Sequence, residues 1–233
     1  MKKLTLLIFY FFLHHSLHSQ VAIIQDKDGY TNVRKEAGVH SEVIYQLKDN
    51  EVFFYYEQSF DENVDDSKWV YVMIPRNKFS IITNYDNPYY YGYIHRSRLL
   101  PLHALEKIPY PQKDELIFQI KKVDTLQKKI DELIDGYITY GIDIYLHHST
   151  EVSALDLYWD GMRYPQADVL IGDLYNVDFE EGEYRSSRGR FDYYKAGDHT
   201  FLVQECADGG GHYLIVWTVK GHRIVQRLVG THY

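Results

Sequence analysis

Residues 213–220 (YLIVWTVK), followed by Gly221-His222, form the stretch that decides how this chain folds. Apolar side chains occupy both of its alternating sets, as in Tyr213, Ile215, Trp217 and Val219 against Leu214, Val216 and Thr218. Successive side chains of a strand point to opposite faces, so both faces of this strand need a covering layer. We therefore predict a central, covered strand, which requires other elements to pack on both of its sides.

Short turn signals surround that strand. Each of three tripeptides places a glycine between apolar or aromatic runs: Trp159-Asp160-Gly161, Ala196-Gly197-Asp198 and Lys220-Gly221-His222. Asp-Gly is the strongest of them, because the favoured two-residue hairpin turn needs positive φ at both positions. Residues 136–233 are therefore predicted to be a hairpin-built, β-rich domain, whose role the pattern does not assign.

The segment before it, 105–135, has a different pattern. Pro101, Pro109 and Pro111 mark a linker that a helix does not cross easily. A stripe at spacings of three and four then predicts an amphipathic helix from Asp114 to Asp135, which packs on its own domain or binds a partner. The stripe consists of Leu116, Ile120, Val123, Leu126, Ile130 and Leu133.

Residues 20–104 contain short apolar runs broken by turn residues, which is typical of a small all-β barrel. The runs fall in a recognisable order: Asn32-Val33-Arg34, Ser41-Glu42-Val43-Ile44, Trp69-Val70-Tyr71-Val72, Gly92-Tyr93-Ile94-His95 and Ser97-Arg98-Leu99. In type and order these blocks resemble the bacterial SH3-like (SH3b) domain over about 80 residues. The resemblance implies a small barrel of the kind found in exported envelope proteins, often beside a hydrolase, some of which bind peptidoglycan or its peptides.

The expected fold class is thus mainly β, with an SH3-like barrel, a helical linker and a C-terminal β-rich domain. The expected barrel interior consists of Val33, Val43, Ile44, Val52, Trp69, Val72 and Ile94. Two segments, 58–68 and 75–91, are longer than the loops that many members of the family have there. Long loops are where binding residues tend to lie.

Residues 1–19 predict export. Lys2 and Lys3 precede an apolar run from Leu4 to Leu13 and then a polar stretch that ends at Ser19, the order of a secretory signal. A ten-residue apolar run is too short to span a membrane, and no other stretch reaches 18 apolar residues. We expect a periplasmic or extracellular protein that does not span the membrane.

The composition of the chain limits the classes of partner that we expect it to bind. The chain has 25 Lys+Arg against 33 Asp+Glu, a formal net charge of −8, so it lacks the basic surface that nucleic-acid binding needs. Its single cysteine excludes an internal disulfide and a cysteine-rich zinc site. Its 23 tyrosines favour strands and wet aromatic surfaces.

The residues with reactive or metal-ligating side chains have simpler structural explanations. Cys206 and His212 are six residues apart, but the cysteine ends a predicted strand and glycines follow it, which favours a structural thiol. Adjacent His147 and His148 point to opposite faces of a strand and so do not ligate one ion. The carboxylates of Asp160, Asp173, Asp178 and 180–183, and the arginines Arg185, Arg188 and Arg190, are most simply a solvated surface of mixed sign. We expect no catalytic residue, metal or cofactor.

Aromatic residues are the better candidates for binding. Tyr89, Tyr90 and Tyr91 follow Asn87-Pro88 in the second long loop, where exposed tyrosines form a contact surface or else pack inward. The barrel pattern predicts that Trp69 is a core residue. If Trp69 lies at the surface instead, it is a candidate ligand contact. The resulting hypothesis is an exported envelope protein that binds a cell-wall peptide, a glycan or an envelope protein. The alternatives are an inhibitor or immunity-type partner protein, and a cell-wall hydrolase anchored by the barrel.

Overall fold

The computed structural model describes residues 20–79, 88–109, 115–124, 148–177, 184–186, 191–206 and 212–230. Within these ranges the chain is built from antiparallel strands, and its helical elements are the 3-10 turns Arg96–Arg98, Leu102–Ala104 and Asp168–Leu170. None of the described helices has the length and apolar character needed to cross a bilayer. The prediction of a mainly β protein is confirmed.

Seven strands form an N-terminal sheet in the order β3-β2-β6-β5-β4-β1-β7. They are β1 (Gln20–Ile24), β2 (Tyr30–Arg34), β3 (Val43–Lys48), β4 (Phe53–Tyr56), β5 (Trp69–Pro75), β6 (Tyr89–His95) and β7 (Leu99–Pro101). Leu47 on the edge strand β3 and Leu99 on the opposite edge strand β7 contact the same core cluster. The sheet therefore curls around one interior.

That interior differs in part from the one that the sequence predicts. Val33, Val72 and Ile94 are fully buried in it, as expected. Val43, at the start of an edge strand, is 46% exposed, and Trp69 is only partly buried because it lies on the outer set of positions in β5. Val52 is buried, but in a second cluster outside this interior.

Five strands form the sheet at the centre of the molecule, in the order β16-β15-β14-β13-β8. They are β8 (Glu106–Ile108), β13 (Asp192–Ala196), β14 (His199–Cys206), β15 (Tyr213–Lys220) and β16 (Arg223–Gly230). Strand β15 pairs with β14 on one side and β16 on the other, and seven of its eight residues are buried. The predicted central strand is therefore confirmed.

The third sheet has the order β11-β10-β9-β12. It consists of β9 (Glu115–Asp124), β10 (His148–Trp159), β11 (Met162–Pro165) and β12 (Tyr184–Ser186), and β9 occupies the first part of the predicted helix. Over 115–124 the predicted helical linker is wrong: Leu116, Phe118 and Ile120 are buried while Ile117 and Gln119 between them are less so, which is the period of a strand. Pairing with ten residues of β10 stabilises β9 as a strand. Residues 125–147, with the rest of the predicted stripe, lie outside the described residues.

The three predicted hairpin turns are confirmed. Asp160 and Gly161 have φ of 49° and 78° and connect β10 to β11, as the type I′ turn requires. Gly197 and Gly221, with φ of 59° and 57°, occupy the turns between β13 and β14 and between β15 and β16. These short-range signals are enough to set the local register of each hairpin.

The central sheet lies between the other two. One of its faces, with Tyr213, Ile215 and Trp217, packs against β9 and β10 in a large core cluster. Its other face, with Leu214 and Val216, packs against the outer face of the N-terminal sheet. This sandwich explains why both faces of β15 are apolar.

The second of these contacts contains a buried polar clamp. The Gln226 side chain accepts a hydrogen bond from the Val52 backbone N–H (2.9 Å) and donates one to the Val52 carbonyl (2.8 Å). Both residues are buried, at 3% and 0% exposure. Gly230 lies so close to Phe54 that an added Cβ would be 2.5 Å from the ring. The N-terminal and central sheets thus share a core, and these contacts fix the position of one sheet on the other.

A buried ion pair fixes the far side of the same sheet. Arg227 forms a bidentate pair with Asp173 (2.5 and 2.7 Å) and also donates to the Leu170 carbonyl at 2.7 Å. Both charged groups are at least 96% buried. The pair attaches the segment 166–175, which contains the 3-10 turn Asp168–Leu170, to β16.

Candidate ligand-binding surface

Strict alternation divides the side chains of β5 between the interior and the outer face of the N-terminal sheet. Val70, Val72 and Ile74 are buried in the interior, whereas Trp69, Tyr71 and Met73 are partly exposed on the outside. Aliphatic residues therefore fill one face, and larger side chains, two of them aromatic with polar atoms, lie on the other. The chemistry of the outer face is set by this second group.

The outer face has two parts. In the first, Phe54 and Met73 pack against the central sheet. In the second part five aromatic residues remain partly or largely exposed, and we call this surface the aromatic face. Its members are Tyr56 on β4, Phe60 in the following loop, Tyr71 on β5, and Tyr91 and Tyr93 on β6.

The rings of the aromatic face contact one another. Phe60 packs edge-on against Tyr71 (5.6 Å, 89°) and at 64° to Tyr56 (5.0 Å). Tyr71 in turn lies 5.3 Å from Tyr93. Phe60 is 62% exposed and Tyr91 40% exposed, so the cluster leaves ring area open to solvent while edge-to-face packing fixes the positions of the rings.

The hydroxyls of Tyr56, Tyr71 and Tyr91 are neutral at physiological pH. Burial raises the pKa of Tyr56, Tyr71 and Tyr91 above the ordinary value of 10.0, and neighbouring phenols raise the pKa of Tyr56 and Tyr71 further. Each group therefore both donates and accepts a hydrogen bond. The surface combines apolar ring area with neutral polar tips, a composition typical of recognition sites.

Residues 57–68 form a loop at the border of the aromatic face, and Arg96 anchors it. The guanidinium donates to the carbonyls of Asp66 (2.6 Å) and Glu57 (2.9 Å), and it pairs with the Glu57 carboxylate at 2.8 Å. Ser59 Oγ lies 3.2 Å from the Tyr93 hydroxyl, and its backbone N–H donates to Asp66. These contacts hold the loop against the sheet.

The predicted binding residues Tyr89, Tyr90 and Tyr91 lie in β6, not in a loop, and alternation places Tyr90 on the opposite face of the sheet from Tyr89 and Tyr91, whose rings are 5.9 Å apart. Tyr89 packs toward the central sheet, with its hydroxyl 3.4 Å from the Val229 carbonyl. Tyr90 faces the interior, where it stacks on Tyr45 at 4.7 Å under the Arg76 guanidinium at 4.1 Å. Of the three predicted tyrosines, the aromatic face contains Tyr91.

Trp69, the fourth predicted residue, lies at the end of the same outer face. It is partly exposed and packs edge-on against His95 at 5.6 Å. Tyr56, Phe60, Tyr71 and Tyr93 were not predicted. The signal for three of them is present in the sequence, since aromatic residues at every second position of β4, β5 and β6 alternate with buried ones.

Cys206, which the sequence predicts to be a structural thiol, ends β14, and His212 directly precedes β15. Cys206 is 98% buried and lies opposite the buried Tyr213 in the pairing of these two strands. His212 lies 3.8 Å from Glu205, which is the neighbour of Cys206 on the opposite face of β14. The thiol therefore has the environment of a structural cysteine.

The remaining candidates are divided between described and masked parts of the chain. Asp160 occupies a turn and Asp173 is paired with Arg227, as given above. Of His148 and Arg185 only the backbone is described, and the other residues of these sets lie outside the described residues: His147, Asp178, Glu180, Glu181, Glu183, Arg188 and Arg190. Within the described ranges no three His, Cys, Asp or Glu residues are grouped so as to hold a metal ion.

No protein-family model matches this chain, and no curated protein or solved structure matches it either.

Proposed function

We propose that this chain is an exported, non-catalytic binding protein of the cell envelope that holds a peptidoglycan-derived or protein ligand on its aromatic face. The observation that supports the proposal best is the packing of Tyr56, Phe60, Tyr71 and Tyr93 into a partly exposed ring cluster on adjacent strands and one loop. A surface cluster of this kind exposes apolar area to water unless a ligand covers it. Tyrosine and phenylalanine also lose few rotatable bonds on binding, so they give contact area at low entropic cost.

The environment of the face supports the same proposal. The first part of the outer face is covered by the central sheet through Phe54 and Gly230, so the strands behind the face are held rigidly. The loop at its border is anchored by Arg96 at three points. Pre-positioned groups bind more tightly because less freedom is lost on association.

Support for the envelope part of the proposal comes from the sequence. The pattern of residues 1–19 is that of an export signal. The blocks at 32–34, 69–72 and 92–95 resemble a family of small barrels that occurs in exported wall-associated proteins. Together with the aromatic face, these features favour a wall or wall-associated ligand over one inside the cell.

Retention on purified cell wall tests the proposal. We expect the wild-type protein to be retained and Tyr71→Ser to bind roughly 5–30-fold more weakly, since a central aromatic contact is worth about 1–2 kcal/mol. Tyr30→Ser is the matched control, because Tyr30 is a 42% exposed tyrosine on β2, outside the aromatic face. Thermal unfolding of both variants verifies that each is folded.

Three outcomes separate the forms of the proposal. Equal retention of wild type, Tyr71→Ser and Tyr30→Ser contradicts the assignment of the site. Absence of wild-type retention contradicts the cell-wall form, and an envelope protein that co-purifies with wild type but not with Tyr71→Ser then supports the protein-ligand form. Trp69→Ala extends the test to the end of the face, where we expect weaker binding with a modest loss of stability because this side chain is already partly exposed.

A further inference from the structure

The loop at the border of the aromatic face is strongly acidic. Residues 57–68 contain five carboxylates and one lysine. Phe60 belongs both to this loop and to the aromatic face, so Asp61 and Glu62 directly follow a ring that contacts Tyr56 and Tyr71. The negative charge is therefore positioned at the edge of the aromatic surface.

The nearby cations do not cancel this charge. Lys68 pairs with Asp65 at 2.8 Å, and Arg96 pairs with Glu57. Hydrogen bonds from Lys68 and Ser67 lower the pKa of Asp65 to about 2, and those from Asn63 lower the pKa of Asp61, so these two carboxylates stay ionised at neutral pH.

Two carboxylates of the loop remain available. Asp61 and Glu62 are exposed, and neither has a cationic partner among the described residues. Asp61 accepts from the backbone and side-chain amides of Asn63, neutral groups that leave its charge in place. Both carboxylates are therefore open to pairing with a cationic group of a ligand on the face.

We infer that the aromatic face takes a short peptide with primary-amine side chains, its ammonium groups next to Asp61 and Glu62 and its aliphatic stems across Phe60 and Tyr71. This inference rests on the proposed function and narrows its ligand class. Ammonium groups are attracted to aromatic ring faces, and the adjacent carboxylates add a direct ion pair. Lysine-type side chains also have apolar stems that lie along ring surfaces while the charge stays in water.

The same charges weigh against other ligands. A neutral glycan would stack on the rings but gain nothing from the carboxylates, and an anionic polymer would be repelled by them. The whole chain has a net charge of −8, which reinforces that repulsion at long range. An amine-bearing peptide is therefore the ligand whose charge and apolar stem both complement the site.

Calorimetric titration of the full-length mature protein tests the inference with two synthetic peptides. One alternates alanine and lysine over eight residues, and the other is the same peptide with every lysine Nε-acetylated. The test variant is Asp61→Asn with Glu62→Gln, and the matched control is Glu36→Gln with Asp49→Asn, which removes the same charge from exposed positions beside β2 and β3. Tyr71→Ser reports on the face itself.

We expect the free-amine peptide to bind wild type and the control alike, and the loop variant about three- to tenfold more weakly. Acetylation should weaken binding to wild type about tenfold and abolish the difference between the variants. Affinity for the free-amine peptide should also fall as the salt concentration rises, because dissolved ions screen the attraction between exposed charges. At physiological ionic strength this attraction decays over about 8 Å.

Equal affinity for the two peptides, or equal affinity of the loop variant and its control, overturns the inference. If the peptides fail to bind while cell wall is still retained through Tyr71, the proposed function stands and the amine-peptide inference alone is wrong. If neither the peptides nor the wall bind at the face, both are wrong.

Discussion

The Gln226 clamp predicts that the N-terminal and central sheets unfold together. Gln226 on β16 satisfies both the N–H and the carbonyl of Val52, a residue fully buried in the core cluster that the two sheets share. Gln226→Leu keeps a similar side-chain volume but removes both hydrogen bonds. It therefore isolates the polar contribution of the clamp from the effect of a cavity.

The expected loss of stability follows from the two backbone groups that the substitution leaves unpaired. A buried donor or acceptor without a partner costs about 1–3 kcal/mol, so the pair costs about 2–6 kcal/mol. For a chain of this length each kcal/mol lowers Tm by roughly 2–4 °C, which gives a fall of roughly 4–24 °C. Gln46→Ala is the control, because Gln46 is an exposed glutamine on the edge strand β3 and should change stability by less than about 0.5 kcal/mol.

The assay is thermal unfolding followed by far-ultraviolet circular dichroism and by tryptophan fluorescence. Trp69 reports on the N-terminal sheet, and Trp217 reports on the buried centre of the molecule. We expect coincident transitions in wild type and in Gln226→Leu. A Tm within about 2 °C of wild type, or two separated transitions in the wild-type protein, would refute the argument that the clamp joins the sheets into one cooperative unit.

Three further predictions follow from single contacts. Arg227→Met should lower the free energy of unfolding, measured in urea, by about 3–5 kcal/mol because it leaves the buried Asp173 carboxylate without its cationic partner. Adding Asp173→Leu should recover most of that loss of stability. Gly92→Ala should cost about 1–3 kcal/mol, since its Cβ would collide with the Arg34 carbonyl oxygen; a Tm equal to that of wild type would contradict the close approach. Burial lowers the pKa of His199 below its ordinary value of 6.5, which means that the folded protein favours the neutral imidazole. The stability that this histidine contributes to the folded state is therefore complete above pH 6.5 and is lost as pH falls through the folded-state pKa. His199→Gln should therefore flatten the decline of Tm below pH 6.5, and an unchanged profile would argue against this histidine as a source of acid sensitivity.

Local sequence by itself determined the strand character of the central sheet and the positions of its turns. The two apolar faces of residues 213–220 require two covering layers whatever those layers are. Gly161, Gly197 and Gly221 mark turns because glycine adopts the positive φ that these turns need, and each turn involves only a few adjacent residues. Such signals need no knowledge of distant parts of the chain.

The error at β9 shows where local pattern is insufficient. Leu116 and Ile120 are four residues apart, a spacing that satisfies one helical turn and also two strand repeats. Phe118 between them is buried too, which fits the strand period. Ten-residue pairing with β10, whose partner residues are 24 or more positions away, decides between the two conformations.

The candidate site depends still more on tertiary structure. The sequence indicates that aromatic residues matter, but alternation in β6 turns Tyr90 toward the interior, and the central sheet covers Tyr89 while leaving its neighbour Tyr91 exposed. Tyr56 and Tyr71 meet only because β4 pairs with β5 in one register, and the central sheet covers Phe54 while leaving Tyr56 partly exposed. Turn geometry and side-chain alternation act over a few residues, whereas pairing partners and covered faces are set by contacts between distant segments, such as Val52 and Gln226, which are 174 positions apart. Only the folded chain brings those segments together.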